Sequence, residues 1–587
     1  MKELLKKYFG FDSFRPGQEE LIQKLMNKED VLGIMPTGGG KSLCYQLPAM
    51  AMTGVTIVVS PLISLMKDQV DAANQLGLPA TFINSTLTSQ ETTERFRALN
   101  QGKYKLLYVA PERFIMPDFL SMLRQLSVAA IAVDEAHCLS QWGHDFRPSY
   151  LQMAGTLNMW NDRPPLIALT ATATVAVAKD IKTQLNIPAN NQVQTGFARE
   201  NLTFQVIKDQ KKEQYILEYL KMNKGQSGII YAATRKEVER LYNLYSKLGF
   251  SVGKYHGGLT EKQRTQMQED FLYDRLPCMI ATNAFGMGIN KSNVRFVIHA
   301  QMPGTIEAYY QEAGRAGRDG LASEAILLFA PQDVQIQKFF IQQSQRTDDQ
   351  KIIEYEKLKA MTKYVHIESC LQQYIVHYFG EKIVPCKKCG NCLDDRLIED
   401  VTRTAQMILS CLKRMGETYG KQMVAKVLAG SKEQKVLQGH FEQLSTYGLM
   451  KGQSQKDIVQ FIDHLISEGC IVSLPGEYPV LQVTSEGIAV LKGQQKVYRK
   501  APKAVERLIE DDELFEVFRL LRTDLAEDAG VPPYVIFSDS TLKEMSQVQP
   551  KNRVELLQIK GIGQNKLDKY GELFLDAIKK YAEKTVD

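Results

Sequence analysis

The sequence predicts an α/β protein in which two tandem parallel-sheet lobes are followed by smaller, mostly helical modules. Two series of short apolar runs, separated by helical patterns, carry this prediction. The first series occupies residues 31–34, 55–60, 105–109, 129–133 and 166–169, and the second occupies residues 228–231, 278–281, 295–299 and 325–329. Uninterrupted apolar runs of this length are typical of strands that are buried on both faces of a parallel sheet.

A chain of 587 residues is too long for one hydrophobic core, so we expect four or five domains. After the lobes the composition becomes helical and polar, and a cysteine cluster, three helical patterns and a hairpin-like stretch follow. This order predicts a metal-binding subdomain, a winged helix, a basic linker and a last helical domain. The predicted boundaries are 1–205 and 206–345 for the lobes, 346–400 for the metal-binding subdomain, 401–498 for the winged helix, 499–510 for the linker and 511–587 for the last domain.

The charge balance fits a nucleic-acid partner without proving one. The net charge is only +5, but residues 505–587 hold 12 Lys and Arg against 17 Asp and Glu, so the preceding part is more basic than the total indicates. Such a surface attracts phosphates, although solvated basic surfaces are also common. No apolar stretch has membrane-spanning length, and the first residues lack a signal-type apolar core, so we expect a cytoplasmic protein without a membrane partner.

A glycine-rich loop follows the first predicted strand and precedes a helical pattern, which is the context of a phosphate-binding loop. The loop runs from Met35 to Ser42 and reads Met-Pro-Thr-Gly-Gly-Gly-Lys-Ser. Its glycines allow backbone N–H groups to converge on phosphate oxygens, while Lys41 would offset β/γ-phosphate charge and Ser42 would ligate magnesium. The predicted nucleotide-binding residues of the loop are Thr37, Gly38, Gly39, Gly40, Lys41 and Ser42.

Two adjacent carboxylates, Asp134 and Glu135, come directly after a predicted buried strand. Combined with the glycine-rich loop, they favour nucleotide hydrolysis, in which Asp134 holds magnesium and Glu135 activates the attacking water. In the second lobe, the segment that begins at Gln311 supplies Arg315 and Arg318, three residues apart. We expect one helical face to present both arginines to a γ-phosphate that is bound between the lobes.

The two carboxylates lead into a run of aromatic residues, histidine and arginine that ends at Tyr150. Aromatic faces and guanidinium planes stack on nucleic-acid bases. One unbroken segment therefore carries groups for hydrolysis and groups for binding a base, which is the arrangement that a motor needs to couple the two events. The alternative is that Trp142 and Phe146 pack beneath a surface loop.

In their order along the chain, these motifs resemble those of superfamily-two helicases and, more narrowly, of the bacterial RecQ family of DNA helicases. The resemblance covers nearly the whole length, because a cysteine cluster, a winged helix and an HRDC-like segment follow in the family's order. The motifs that carry it are Phe9-Gly10, Phe14–Gln18, Met35–Ser42, Asp134–His137, Ala168–Thr172, Thr282–Gly288 and Gln311–Arg318. It implies two RecA-like lobes and a 3′-to-5′ DNA translocase that uses ATP and magnesium.

The resemblance also implies roles for single residues. Arg15 and Gln18 would recognise adenine, with Phe9 or Phe11 stacking near the base, although apolar packing is the alternative for both aromatics. The catalytic group would consist of Lys41, Asp134, Glu135, His137, Gln311, Arg315 and Arg318. Within it, His137 and the segment Thr170–Thr172 would relay hydrolysis to lobe movement. The residues that would bind single-stranded DNA are Trp142, His144, Phe146 and Arg147.

Four of the nine cysteines cluster, which indicates a metal site rather than a disulfide framework. Cys386, Cys389 and Cys392 form a C-x₂-C-x₂-C pattern, and Cys370 lies sixteen residues upstream of the first of them. Four thiolates suit a tetrahedral structural zinc, and an iron–sulfur cluster is the chemical alternative. The resemblance to RecQ proteins favours zinc.

The two C-terminal modules are interpreted mainly from the resemblance. The segment from Tyr419 to Gly448 is similar to the winged helix of RecQ proteins, so we expect it to bind duplex DNA near a fork, although winged helices also bind proteins. The last domain resembles an HRDC domain. Its acidic balance argues against general DNA binding, yet basic side chains around the turn at 560–563 would allow a local phosphate contact.

The hypothesis is therefore an ATP-dependent DNA helicase that acts in recombination and repair, with further roles in replication and the SOS response. Its substrates would be single-stranded and forked duplex DNA, and single-strand-binding protein and other repair factors are candidate partners at the bacterial nucleoid. An RNA helicase built from the same lobes and a non-catalytic nucleic-acid scaffold are the alternatives. The intact set of Lys41, Asp134, Glu135, Arg315 and Arg318 argues against the scaffold.

Overall fold

The computed structural model describes residues 1–9, 11–143, 145–208, 210–286, 291–474, 480–500, 512–529, 536–537, 539–559, 562 and 564–584. The chain divides into two compact units, one formed by Met1–Asp395 with Asp400–Arg499 and the other by Arg396–Glu399 with Lys500–Asp587. The first unit contains both predicted lobes and the cysteine cluster, and therefore the whole candidate site.

Lobe 1 is built on a parallel sheet of seven strands in the order β3-β4-β2-β5-β6-β1-β7. The strands are β1 Val31–Ile34, β2 Val55–Val59, β3 Ala80–Ile83, β4 Leu106–Val109, β5 Val128–Val133, β6 Leu166–Thr170 and β7 Gln192–Gln194. The sequence predicts the five inner strands and misses β3 and β7. These two strands form the edges of the sheet, and polar residues interrupt their apolar pattern.

Helices cover both faces of this sheet. Alternate side chains of β2 enter different apolar clusters, Ile57 and Val59 on one face and Val58 on the other. The helices of lobe 1 are α1 Lys2–Phe9, α2 Gln18–Met26, α3 Leu43–Ala51, α4 Ile63–Gln75, α5 Ser89–Asn100, α6 Pro117–Leu123, α7 Pro148–Asn158 and α8 Val175–Gln184, with short 3₁₀ turns at Pro111–Ile115 and Ala136–Leu139. The sheet is buried on both sides, as the continuous apolar runs predict.

Lobe 2 contains a parallel sheet of six strands in the order β10-β11-β9-β12-β13-β8. The strands are β8 Leu202–Lys208, β9 Gly228–Tyr231, β10 Val252–Tyr255, β11 Cys278–Ala281, β12 Phe296–His299 and β13 Ser323–Phe329. Its helices are α9 Lys212–Met222, α10 Arg235–Lys247, α11 Glu261–Leu272, α12 Ile306–Ala313 and α13 Pro331–Gln343. The sequence again misses the edge strands, β8 and β10. Because β8 begins at Leu202, the second sheet starts slightly before the predicted boundary at residue 206.

A helical subdomain and a winged helix follow lobe 2 and lie mostly within the first unit. The subdomain contains α14 Asp348–His366, α15 Leu371–Tyr378 and α16 Gly390–Leu393, followed by strand β14 Ile398–Asp400. The winged helix contains α17 Thr402–Arg414, α18 Lys421–Leu428, α19 Gln434–Gln438, α20 Gln455–Ser467, β15 Ile471–Leu474, β16 Val480–Val483, α21 Ser485–Leu491 and β17 Tyr498–Lys500. The strands β15 and β16 pair antiparallel, so the predicted hairpin is present.

The second unit is helical. It contains α22 Asp512–Ala529, α23 Asp539–Val548, α24 Arg553–Leu557 and α25 Gln564–Lys584, and its core includes Leu514, Phe518, Phe537 and Phe574. The predicted linker beyond residue 500 lies outside the described residues, as do Lys560, Gly561 and Gly563 of the predicted basic turn. Across the residues that the structure describes, no helix has the length and apolar character needed to cross a membrane.

The strand order of lobe 1 brings the candidate motifs to one edge of the sheet. Strand β6 pairs with both β1 and β5, so the carboxyl ends of these three strands are neighbours. Ile34 lies opposite Thr170, and the next backbone N–H, that of Met35, donates to the Thr170 carbonyl at 3.0 Å. The phosphate loop, the two carboxylates and the segment after β6 therefore lie side by side.

Candidate functional site

The glycine-rich loop lies between β1 and α3. Gly38 and Gly40 have φ angles of 84° and 80°, in the left-handed region that glycine adopts without strain. A Cβ at residue 40 would lie 2.5 Å from Nε2 of Gln18, so a side chain there would displace the Gln18 amide. Lys41 is half-buried, and its Nζ donates a hydrogen bond to the Met35 carbonyl at 3.4 Å. This compact backbone suits the binding of phosphate groups.

Gln18 and Arg15 hold this loop in place. Gln18 is buried, and its Nε2 donates to the carbonyls of Gly39 and Gly40 at 3.2 Å each. Its Oε1 accepts the backbone N–H of Arg15 at 2.9 Å, and the Arg15 guanidinium donates to the Gly38 carbonyl. A groove of about 510 Å³ adjoins Arg15. Both residues are therefore placed beside the nucleotide loop, and their recognition of adenine stays a prediction.

The two aromatic candidates for stacking on adenine differ in exposure. Phe9 is half-buried and packs against an apolar cluster that includes Leu5 and Ile22. Phe11 is 52% exposed. Phe9 thus contributes to packing, whereas Phe11 is accessible to a base.

Asp134 and Glu135 follow β5 directly. Asp134 is buried, its Oδ1 accepts the backbone N–H of Glu135 at 2.9 Å, and the chain turns at Glu135 with a φ of 48°. Burial and the charge of Glu135 raise the pKa of Asp134 to about 6, while the positive charge of Lys41 opposes this shift. A buried carboxylate of this kind gains from a nearby cation, and oxygen ligands suit magnesium. Asp134 therefore suits a magnesium ion, and the role of Ser42 as a second ligand stays a prediction.

His137 connects the hydrolysis residues to the neighbouring strand end. It is fully buried, and its Nδ1 lies 3.0 Å from Oγ1 of Thr170 and 3.2 Å from Oε2 of Glu135. Thr170 Oγ1 also accepts the backbone N–H of Thr172 at 3.2 Å. Burial opposes ionisation of His137, but Cys138 and the Glu135 carboxylate raise its pKa above the ordinary value. A path of close polar contacts therefore runs from the Glu135 carboxylate through His137 to the segment after β6.

Arg315 and Arg318 belong to lobe 2, but they do not lie on one face of a helix. Helix α12 ends at Ala313, and Gly314 and Gly317 follow, the latter with a φ of 65°. The expected helical presentation is wrong, because these glycines end the helix and place both arginines on the turn beyond it.

Arg318 lies against the phosphate loop of the other lobe. A Cβ built on Gly38 would be 3.5 Å from both Cα and Cγ of Arg318. Burial and the positive charges of Arg315 and Arg199 lower the pKa of Arg318 below the ordinary value. Guanidinium groups crowded in this way gain from an anion, so the arrangement suits a phosphate between the lobes. Gln311 lies on α12 and is half-buried.

The residues 141–150, here called the aromatic segment, follow the carboxylates. Trp142 is 51% exposed and Phe146 is half-buried. The Arg147 guanidinium donates to a neighbouring carboxylate, that of Asp145, at 3.1 Å. His144 lies outside the described residues. Trp142 is therefore the candidate most accessible to a nucleic-acid base, and DNA binding by these side chains stays a prediction.

Three residues that the sequence reasoning missed also contact the site. Tyr150, at the end of the aromatic segment, donates its hydroxyl to the Asp134 carbonyl at 3.0 Å. Lys357 of α14 is buried and donates to the Gly143 carbonyl at 3.0 Å. Arg199, between the lobes, donates to the backbone of the phosphate loop at 3.1 Å. Position within the aromatic segment was a signal for Tyr150, whereas no local pattern points to Lys357 or Arg199.

The four clustered cysteines come together around α15 and α16, with candidate ligand atoms all within 4.8 Å of one another. They are Cys370, Cys386, Cys389 and Cys392. Backbone N–H groups donate to the sulfurs, from Leu371 to Cys389 at 3.4 Å and from Cys386 to Cys370 at 3.2 Å. Such donors stabilise thiolates, so the group suits a tetrahedral metal ion.

Comparison with protein families defines the class of this chain. Models of five families match it in order: DEAD/DEAH box helicase at residues 15–181, helicase conserved C-terminal domain at 211–320, RecQ zinc-binding at 331–393, RQC domain at 396–507 and HRDC domain at 511–578. The class is that of helicases with two RecA-like lobes, as predicted. The zinc-binding match also decides between zinc and an iron–sulfur cluster in favour of zinc.

Individual relatives narrow the class further. The chain is 53% identical over 586 residues to the ATP-dependent DNA helicase RecQ of Bacillus subtilis (strain 168), covering 100% of this chain and 99% of that protein. It is 39% identical over 593 residues to the helicases of the same name from Haemophilus influenzae, covering 98% and 95%, and Pasteurella multocida, covering 99% and 93%. The chain belongs to the RecQ family and is an ATP-dependent DNA helicase. This confirms the predicted activity and family and does not favour the RNA helicase or the scaffold.

Replacing Cys389 with serine should release the metal and destabilise the fold, because Cys389 is fully buried and its sulfur lies 3.9 Å from that of Cys370. We expect bound zinc to fall well below one equivalent and the free energy of unfolding to fall by on the order of 4 kcal/mol. Elemental analysis and thermal denaturation measure the two effects. Cys278→Ser is the matched control, because Cys278 is buried in β11 outside the cluster, and this variant should retain its zinc. Equal zinc contents in the two variants would contradict the assignment.

Proposed function

We propose that this helicase hydrolyses ATP in the cleft between its lobes and moves 3′ to 5′ along single-stranded DNA, unwinding forked duplexes. The observation that carries the proposal is the approach of Arg318 in lobe 2 to Gly38 in the phosphate loop of lobe 1. A γ-phosphate in that loop would lie between charged groups of both lobes. Hydrolysis of ATP would release this phosphate and so weaken the electrostatic attraction that holds the two lobes together.

Each candidate residue has a distinct task in this reaction. Lys41 and the loop N–H groups bind the β- and γ-phosphates, and Glu135 orients and activates the attacking water. Asp134 and Ser42 would hold magnesium, which when bound would neutralise phosphate charge. Arg318 and Arg315, on the turn after α12, stabilise the charge that develops on the transferred phosphoryl group.

DNA binding is coupled to hydrolysis through the aromatic segment. Trp142 is exposed for stacking on a base, and the end of the same segment is bound to Asp134 through the Tyr150 hydroxyl at 3.0 Å. The start of the segment follows the 3₁₀ turn Ala136–Leu139, which begins directly after Glu135. A base that displaces the segment would therefore act on both carboxylate residues.

The biological setting of the proposal rests on family membership. The winged helix would bind duplex DNA near the fork, and the helicase would act in recombination and repair at the bacterial nucleoid. Single-strand-binding protein and other repair factors are the proposed partners.

Replacing Arg318 with alanine should lower kcat for ATP hydrolysis by about 10³-fold, because the arginine acts on charge that develops in the transition state. The affinity for ADP should change little, since ADP lacks the γ-phosphate. Steady-state kinetics and fluorescent ADP titration check the two quantities. Arg275→Ala is the control, since Arg275 is an arginine of the same lobe that pairs with Asp270. An Arg318→Ala variant with normal kcat would refute the proposed site.

Replacing Trp142 with alanine should lower DNA-stimulated ATP hydrolysis by about tenfold, because the variant loses a stacking surface for a base. Hydrolysis without DNA should fall less. ATPase assays with and without single-stranded DNA give the ratio, and Met159→Ala serves as the control because Met159 is an exposed apolar residue of the same lobe. An equal loss in both assays would identify the aromatic segment as merely structural.

Strand displacement tests the polarity. We expect ATP-dependent unwinding of duplexes with a 3′ single-stranded tail and of forks, and little unwinding of duplexes with only a 5′ tail. ATPase stimulation by single-stranded DNA should exceed that by RNA of the same length. Preference for the 5′ tail would overturn the direction, and stronger stimulation by RNA would overturn the substrate.

A further inference from the structure

The chain that connects the two lobes carries a buried arginine outside every motif named above. Arg199 is 7% exposed and lies between β7 of lobe 1 and β8 of lobe 2. Burial lowers the pKa of the Arg199 guanidinium, and the positive charge of Arg199 contributes to the lowered pKa of Arg318. A buried arginine without a role in packing needs hydrogen-bond acceptors for its donors.

The acceptors of Arg199 belong to two different lobes. One Nη atom donates to the carbonyls of Thr37, in the phosphate loop, at 3.1 Å and of Gly314 at 3.3 Å. The other donates to the carbonyls of Ala316 at 3.0 Å and Gly317 at 3.2 Å. The last three residues flank Arg315 and lead to Arg318. A single planar group thus ties the phosphate loop to the turn that presents both arginines.

The backbone of Arg199 is held in turn by the cysteine cluster. Lys388, between the ligands Cys386 and Cys389, donates through Nζ to the Arg199 carbonyl at 3.0 Å and to the Glu200 carbonyl. The connecting segment is also held two residues before Arg199, because the Phe197 ring stacks on the Phe379 ring with centroids 4.3 Å apart. Arg199 is therefore constrained at both its backbone and its side chain.

We propose that Arg199 is a positioning residue for ATP hydrolysis, which sets the distance between the phosphate loop and Arg318, and that Lys388 holds Arg199 in place. The metal-binding subdomain thereby contributes to the alignment of the ATP site as well as to folding. This inference rests on the proposed role of Arg318. A planar fork fixes relative position because its donors cannot move independently, whereas a lysine ammonium keeps the charge and loses that constraint.

Arg199→Lys tests this role. We expect kcat for ATP hydrolysis to fall by about tenfold or more, because small displacements of a catalytic group are costly. The affinity for ADP should stay within about twofold, while the affinity for ADP with beryllium fluoride, a γ-phosphate mimic, should fall with kcat. The melting temperature and the zinc content should match those of the parent.

A double-mutant cycle separates positioning from a merely structural role. If Arg199 acts through Arg318, adding Arg199→Lys to Arg318→Ala should lower kcat by less than about twofold more, because coupled residues are not additive. Independent, multiplicative losses would overturn the inference, as would a normal kcat in Arg199→Lys. If Arg318→Ala itself retains full activity, the proposed function fails first, so the two failures are distinguishable.

The contribution of Lys388 is tested with its neighbour as the control. Lys387 is exposed and lies between the same two cysteines. Lys388→Met should lower kcat several-fold with one equivalent of zinc retained, and Lys387→Met should leave both unchanged. Equal kcat values for the two variants would remove Lys388 from the proposal.

Discussion

Parallel pairing of β6 with both β1 and β5 is the constraint on which the rest of the site depends. A parallel sheet sends the carboxyl ends of its strands to one edge, so residues far apart in sequence emerge together there. The phosphate loop, Asp134 with Glu135, and Thr170 each occur within a few residues of such an end. The register of β1 and β6 fixes the relative position of these segments, because Ile34 lies opposite Thr170 and the Met35 N–H donates to the Thr170 carbonyl. The chemistry of lobe 1 is thus a consequence of strand order.

Buried groups of opposite charge lie on the two sides of the cleft between the lobes. In lobe 1, burial raises the pKa of Asp134, so a nearby cation would stabilise the charged form of this carboxylate. In the turn after α12, burial and neighbouring guanidiniums lower the pKa of Arg318, which signals crowded positive charge. A magnesium–nucleotide complex would relieve both, the cation at the carboxylates and the phosphates at the arginines. The charges on the two sides of the cleft therefore favour the magnesium–nucleotide complex that we propose as its ligand, and each lobe contributes only one of the two charge types.

The sequence predicts features that are encoded locally and misses those that depend on distant contacts. The inner strands are continuous apolar runs because both of their faces are buried, whereas the missed strands β3, β7, β8 and β10 are edge strands with mixed patterns. The phosphate loop and the cysteine pattern are recognisable because their ligands are close in sequence. Lys357 and Arg199 leave no such pattern, since each bonds to backbone carbonyls more than a hundred residues away, which any sequence can supply. The sequence predicts the arginine pair in lobe 2, but its predicted presentation on one helical face is wrong, because α12 ends at Ala313 and a turn begins at Gly314.

The coupling that we propose between DNA binding and ATP hydrolysis depends on how the aromatic segment is anchored. Three of its contacts lead inward: Tyr150 to the Asp134 carbonyl, Arg147 to the carbonyl of Pro61 at 2.9 Å, and Gly143 to Lys357 of the metal-binding subdomain. Trp142 comes directly before the first of these anchored residues along the chain and is exposed. A base that stacks on Trp142, as we propose, would therefore act on an anchored segment rather than on a free loop. Only the 3₁₀ turn Ala136–Leu139 and Ser140 separate the segment from Glu135, so displacement of the segment would reach the carboxylate that we propose to activate water. The hydrogen bond from Lys357 to the Gly143 carbonyl ties the aromatic segment to the metal-binding subdomain, so that subdomain would oppose the proposed displacement.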